Sequence, residues 1–155
     1  WCGLKLAKED TWRHHYAYLD GVPLAQWPQA AIDYAINREQ FDRPIAAFQL
    51  TQKKLADMTL ELDKGYLLAL HLGRLKDAHV IRPEQVSVGK LNNARESLAI
   101  ARECRSILGG NGITLEYPII RHMNNLESVF TYEGTNEMHT LVVGEALTGI
   151  PAYRG

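Results

Sequence analysis

Between Thr131 and Asn136 the chain reads TYEGTN, which sets the carboxylate of Glu133 between an aromatic residue and a glycine, just behind Val129-Phe130. An acid in apolar surroundings is costly unless it is paired, protonated or put to use. Desolvation raises a carboxyl pKa and suits the group to taking a weakly acidic proton. Phe130 and Tyr132 would lower the local polarity, and Gly134 would let a bound molecule approach the backbone closely. The same acid also fits a plainer role at the start of the helix that follows. The residues alone leave both readings open, general base and helix-start acid.

Two further stretches carry candidate ligand chemistry. In REQFDRP, residues 38–44, Arg38 stands near the end of a helical pattern with Phe41 just beyond. A guanidinium there either satisfies terminal carbonyls or grips phosphate oxygens in a bidentate fork. In GGNGI, residues 109–113, the glycines either stop a long helix or let backbone amides approach a phosphate. This is not the dinucleotide fingerprint, which needs GxGxxG after a strand and before a helix. The six histidines include the adjacent pair His14-His15 and four on separate segments, His71, His79, His122 and His139. None shows HExxH or Cys/His spacing, so no metal site is expected.

The elements that must hold these residues are helical. Ala31, Ile32, Ala35 and Ile36 repeat at steps of three and four in PQAAIDYAINREQF, residues 28–41, with Pro28 in the first turn and Pro44 ending the segment. Leu55, Met58, Leu62, Ala69 and Leu72 give a second helix from about Gln49 to Leu75, interrupted by Gly65. A third runs from Pro83 through Val86, Ile100, Ala101, Cys104 and Ile107 to the glycines. PIIRHMNN, residues 118–125, predicts a short fourth, and Thr135 or Asn136 caps a fifth over EMHTLVVGEALTG. Strand-like alternation is scarce. The pattern predicts an all-α, up-and-down helical bundle over residues 27–155, preceded by a less regular segment, 1–26, with a candidate helix from Glu9 to Leu19.

The chain of 155 residues is long enough for one domain with a real core. A net charge of -1, with basic and acidic residues interspersed, argues against nucleic acid, which needs concentrated positive charge. No apolar run approaches the roughly 20 residues that cross a bilayer. Two cysteines, Cys2 and Cys104, form no CxxC pair or disulfide framework, which favours a reducing compartment. The first residue is Trp1 and no basic n-region precedes an apolar stretch, so we expect no signal peptide and a chain that begins inside a longer protein.

Three motifs in order, REQFDRPIAAFQLTQKKLADM, ARECRSILGGNGI and TYEGTNEMHTLVVGEAL, resemble the C-terminal helical domain of the acyl-CoA dehydrogenase family over about residues 27–153. GRLKD, RHMNNLESVFTYEGT and ALTGI look most like its glutaryl-CoA dehydrogenase branch. The resemblance implies FAD as cofactor, an acyl-CoA thioester as substrate (glutaryl-CoA within that branch), an electron-transfer flavoprotein as partner, and a homotetramer. It makes Glu133 the catalytic base and Gly134 a backbone contact to the thioester carbonyl. It places Arg38 at the FAD pyrophosphate, Gln49 and Thr135 at the cofactor, and Tyr153 where a C-terminal aromatic approaches it. Ser106, Ile107, Leu108, Gly109 and Gly110 would run along the adenosine end of an FAD, typically one held by a neighbouring subunit.

Residues 1–26 depart from the family. They do not match its first bundle helix, and no CoA ligand, Arg13 included, is assigned there. The family's N-terminal helical and middle β-domains are not among these residues, so the expectation is a portion of a longer enzyme, inactive by itself. The compartment would be bacterial cytoplasm or mitochondrial matrix. Two alternatives stand beside this reading: a non-catalytic helical oligomerisation module, and a dehydrogenase for another short-chain acyl-CoA.

Overall fold

The computed structural model describes residues 18–19, 22–23 and 26–153. Most of the candidate Glu9–Leu19 helix lies outside them. Its last two residues are not helical: β1 (Tyr18–Leu19) pairs antiparallel with β2 (Val22–Pro23), so their backbone groups serve a ladder instead.

Helix α1 (Gln26–Asn37) buries Ala31 and Ala35, four residues apart, completely. It ends short of the expected Phe41, and Ile36, expected inside, is 55% exposed. A hairpin takes over the lost turn. Strands β3 (Glu39–Gln40) and β4 (Arg43–Pro44) pair antiparallel, and the Ile45 amide closes the ring on the Arg38 carbonyl at 2.8 Å. The two turn residues, Phe41 at φ 55° and Asp42 at φ 60°, are both left-handed. A two-residue hairpin loop demands that conformation, but glycine or asparagine usually supplies it. A bulky residue there is strained, at a cost of about 1–3 kcal/mol.

After a single 3-10 turn (Ile45–Ala47), α2 (Gln49–Asp77) and α3 (Pro83–Ile107) form a long antiparallel pair. Their contacts step in opposite directions. Gly89 lies against Leu72, the Asn93 amide donates to the Gly65 carbonyl, the Cys104 thiol meets the Met58 sulfur, and Lys54 donates to Ser106 Oγ. The helix runs unbroken through Gly65 because tertiary packing outweighs the roughly 1 kcal/mol propensity loss.

A 3-10 segment (Gly109–Ile113) then leads into α4 (Ile119–Thr131) and α5 (Asn136–Thr148). Helix α4 ends six residues beyond the end that the pattern predicted. Leu126 and Phe130 continue its apolar face at steps of four from His122, and the core they enter stabilises the extra turns. Helix α3 packs against α1, α2, α4 and α5, making it the axis of the bundle. Ala31, Met58, Leu98, Ile100, Ala101, Cys104, Leu108, Ile119 and Leu126 form one core around it. Burial pushes the Cys104 thiol up to about 12, so it acts as an apolar packing group rather than a nucleophile. The all-α bundle expected from the periodicity is the observed fold.

The turn after α3 depends on one close approach. A Cβ on Gly112 would run into the backbone carbonyl of Arg105, which cannot swing aside. Gly73, in mid-helix, has open space instead. Gly112→Ala should therefore lower the unfolding free energy by about 1–3 kcal/mol. Gly73→Ala should raise it by about 0.4–1 kcal/mol, through lost freedom of the unfolded chain. Urea titration of both variants checks the pair, and equal shifts would contradict the packing described.

Candidate functional site

Glu133 sits in the four-residue link between α4 and α5, and its backbone is left-handed at φ 53°, followed by Gly134 at φ 98°. Two such residues in succession turn the chain sharply. Thr135 then caps α5, its Oγ1 accepting from the Met138 amide at 3.4 Å. Glu137, in the first turn of that helix, is held below the usual carboxylate range by a backbone hydrogen bond and then by the Thr135 hydroxyl. Glu137 therefore takes the helix-start role that the sequence left open for Glu133.

The apolar frame expected around Glu133 is not built by its neighbours. Phe130 turns into the core, Tyr132 is 48% exposed, and the Glu133 side chain is exposed. Helical periodicity explains this: Phe130 continues the face of Leu126, whereas Tyr132 lies just past the end of α4.

What holds the link is a buried cation that sequence reading passed over. Lys90, on α3, is only 8% exposed. Its ammonium donates to the Tyr132 carbonyl at 2.5 Å and to the Gly134 carbonyl, on either side of Glu133, and lies 5.8 Å from the Tyr132 ring centroid. A signal for it was present. Ser87, Lys90, Ala94, Leu98 and Ala101 recur at steps of three and four on the buried face of α3, so a lysine stands within an apolar stripe. His139, on α5, completes the support: its imidazole hydrogen-bonds the Glu133 backbone, and its Nε2 lies 2.9 Å from where a Gly134 Cβ would be.

Of the residues expected at a cofactor, Thr135 belongs to this link and the others lie away from it. The Arg38 guanidinium is exposed and bonds none of the described residues, so the helix-end role is not the one it plays. Gln49 opens α2 beside a cleft lined also by Arg43, Ala47, Phe48 and Leu50, where the Arg43 guanidinium stacks 4.1 Å over Phe48. Ser106 Oγ accepts from Lys54 at 3.0 Å, and Lys54 also pairs with Glu103 at 2.9 Å. Ile107 packs on the core, and Leu108, 1% exposed, commits its side chain to it. Gly109 and Gly110 are exposed with nothing within 4 Å of a built Cβ. The Tyr153 hydroxyl donates to Glu145 at 2.6 Å. Lys90 and Ser106 are sixteen residues apart on α3, about 24 Å along its axis. One copy therefore holds the Glu133 link and the glycine turn at opposite ends of that helix.

Residues 22–148 match the family model of the acyl-CoA dehydrogenase C-terminal domain. The chain belongs to the acyl-CoA dehydrogenase family. Glutaryl-CoA dehydrogenase from Mycobacterium smegmatis is 66% identical with a TM-score of 0.82, over 84% of this chain and 34% of that one. A second structure of glutaryl-CoA dehydrogenase from that organism, in complex with FADH2, is 62% identical with a TM-score of 0.82, over the same shares. The mitochondrial short-chain specific acyl-CoA dehydrogenase of Bos taurus is 37% identical over 130 residues, covering 81% of this chain and 31% of its own. The chain spans about a third of the length of these relatives.

The support under the link has a pH signature. Burial, and after it the charge of Lys90, lowers the pKa of His139, while the hydrogen bond to the Glu133 backbone opposes the shift. The fold favours the neutral imidazole. As pH falls below 6.5, the unfolded chain takes up a proton at this position that the folded chain resists, so stability falls toward the folded pKa. Chemical unfolding of the chain at about pH 7.5 and about pH 5.5 should show this loss in wild type and a smaller one in His139→Gln. An identical loss in both would mean that the imidazole carries none of the linkage.

Proposed function

We propose that this chain is the C-terminal portion of an FAD-dependent acyl-CoA dehydrogenase acting on glutaryl-CoA, with Glu133 as the base. The observation that carries the reading is the strained, left-handed Glu133, whose flanking carbonyls are tied down by Lys90 and whose carboxylate is left exposed. Strain of this kind persists where the surroundings over-determine it, and it concentrates at functional sites.

The residues present fit the cofactor. The Arg38 guanidinium bonds none of the described residues and presents a fork that suits phosphate, Gly109 and Gly110 leave their backbone open, and Gln49 lies beside a cleft with both aromatic and cationic walls. Arg38 and Gln49 would hold FAD, with Thr135 and Tyr153 nearer the reacting end. What FAD supplies when bound is an acceptor for the β-hydrogen and its electron pair. Glu133 takes the α-proton, and the electrons of that C–H bond form the α,β double bond as the β-hydrogen departs. The Glu133 and Gly134 amides would donate to the thioester oxygen and stabilise its developing negative charge. Cofactor and substrate would supply the apolar enclosure that the link itself lacks. With glutaryl-CoA, loss of the distal carboxylate as carbon dioxide and uptake of a proton give crotonyl-CoA. Electrons then leave to an electron-transfer flavoprotein.

We also propose that copies associate as a tetramer. Leu60, Leu67 and Leu70 leave an apolar stripe on the outer face of α2, which a neighbouring copy would cover. Such assembly also suits the placement of the glycine turn and the Glu133 link at opposite ends of α3, since two copies can share one extended dinucleotide.

The test uses the full-length, FAD-loaded protein. Glu133→Gln should keep its FAD content and lose roughly 10²–10⁴-fold in the rate at which substrate bleaches the flavin. Glu127→Gln and Glu137→Gln, changed on the same segment, should bleach near the wild-type rate. A wild-type rate in Glu133→Gln would return that residue to a structural role. Separately, Arg38→Ala should weaken FAD retention by about 1.5–3 kcal/mol, and Arg38→Lys should restore only part of it. Unchanged retention in both would remove Arg38 from the cofactor site.

A further inference from the structure

The peptide unit that carries the Glu133 N–H also carries the Tyr132 C=O, and that oxygen accepts from the buried Lys90 ammonium at 2.5 Å. The next peptide unit joins Glu133 to Gly134, and His139 hydrogen-bonds the backbone of Glu133. The third joins Gly134 to Thr135, and its carbonyl again accepts from Lys90. The first and third peptides of the link are thus held by one ammonium from the side facing α3.

We propose that Lys90 is a positioning residue for the dehydrogenation, locking Glu133 in its left-handed conformation and polarising the Glu133 amide that would bind the thioester oxygen. This rests on the reading of Glu133 as the base. The geometry supports it in three ways. First, the successive positive-φ residues Glu133 and Gly134 turn the link so that the Tyr132 and Gly134 carbonyls converge on one point, and one ammonium satisfies both. Second, donation to a peptide oxygen shifts electron density away from the N–H of the same unit, so each hydrogen bond strengthens the other. Third, a charge at 8% exposure is costly to bury, and an apolar residue would fill this position of the α3 stripe more cheaply if packing alone were at stake. Lys90 is then not a catalytic residue; it acts on the substrate only through the Glu133 peptide.

The experiment reads enolate stabilisation apart from proton abstraction. A β-ketoacyl-CoA bound to the full-length, FAD-loaded protein ionises to an enolate without help from a base, and its ionisation can be followed by ultraviolet absorbance against pH. Lys90→Met should keep FAD and bind this probe, yet favour its bound enolate roughly ten- to hundred-fold less. That is smaller than the 10²–10³-fold lost when an oxyanion donor is removed outright. The rate of flavin bleaching by substrate should fall with it, more through kcat than through KM.

Lys90→Gln, a neutral residue of similar length that can still donate to one carbonyl, should fall between Lys90→Met and wild type in both readouts. Wild-type ionisation of the probe in either folded variant overturns the proposal. So does failure of both variants to fold with FAD, which would make Lys90 a residue of the fold alone. Glu133→Gln separates the two readings: it should lose turnover while the probe still ionises. If Glu133→Gln turns over normally, the base assignment fails, whatever the Lys90 variants do.

Discussion

The apolar face of α3 is the constraint on which the other elements depend. Ala94, Leu98, Ala101 and Cys104 on that face meet Met58 of α2 and the turns of α1, α4 and α5, so no other helix can shift without opening the same core. Burial of that face sets the hydrophobic contribution, roughly 1.5–3 kcal/mol for each fully buried large side chain. It also fixes where Lys90 must stand. A lysine placed inside this stripe has no route to bulk water along the helix surface, and its ammonium has to be satisfied within the protein. The carbonyls of Tyr132 and Gly134 do this. Core packing and the shape of the link between α4 and α5 are therefore one problem with one solution.

The backbone strain falls in three places. Phe41 and Asp42, His79, and Glu133 are the non-glycine residues with positive φ among those described. His79 lies in the tight reversal between α2 and α3, where its amide bonds the Lys76 carbonyl at 2.9 Å. The other two places flank ligand candidates. The Phe41-Asp42 turn projects next to Arg38 and the cleft at Gln49, and Glu133 lies beside the amides of its own link. In each case, hydrogen bonds from outside the strained residues hold the conformation: Ile45 to Arg38 in the hairpin, and Lys90 in the link.

The two ends of α3 have different chemistry. One end presents a carboxylate on a rigid, cation-backed link. The other presents exposed glycines, a lysine bridging Glu103 and Ser106, and the nearby start of α2. In the proposed function, a long ligand shared with a second copy of the chain would connect them. The leucine stripe on the outer face of α2 is an apolar surface that a second copy would cover in the proposed assembly.

Periodicity in the sequence was enough for the helices, because a buried face repeats every three or four residues whatever it packs against. Thus Met58 and Leu72 on α2, and Ala101 and Cys104 on α3, are buried as their spacing required. The motif order was enough for the family, since TYEGTN and GGNGI keep their identity without knowledge of their neighbours. The early end of α1 was not legible, because the hairpin at Phe41-Asp42 puts a bulky phenylalanine in the left-handed region, which its local propensity disfavours. Nor were the extra turns of α4, which tertiary burial of Leu126 and Phe130 stabilises. Leu108 reads as part of a ligand-facing run but points into the core, since the turn at Gly112 tucks under the Arg105 carbonyl. The support of Glu133 by Lys90 joins residues more than forty positions apart. The lysine in an apolar stripe was visible; its partners were set only when α4 and α5 folded back against α3, because a hydrogen bond depends on where two groups meet in space.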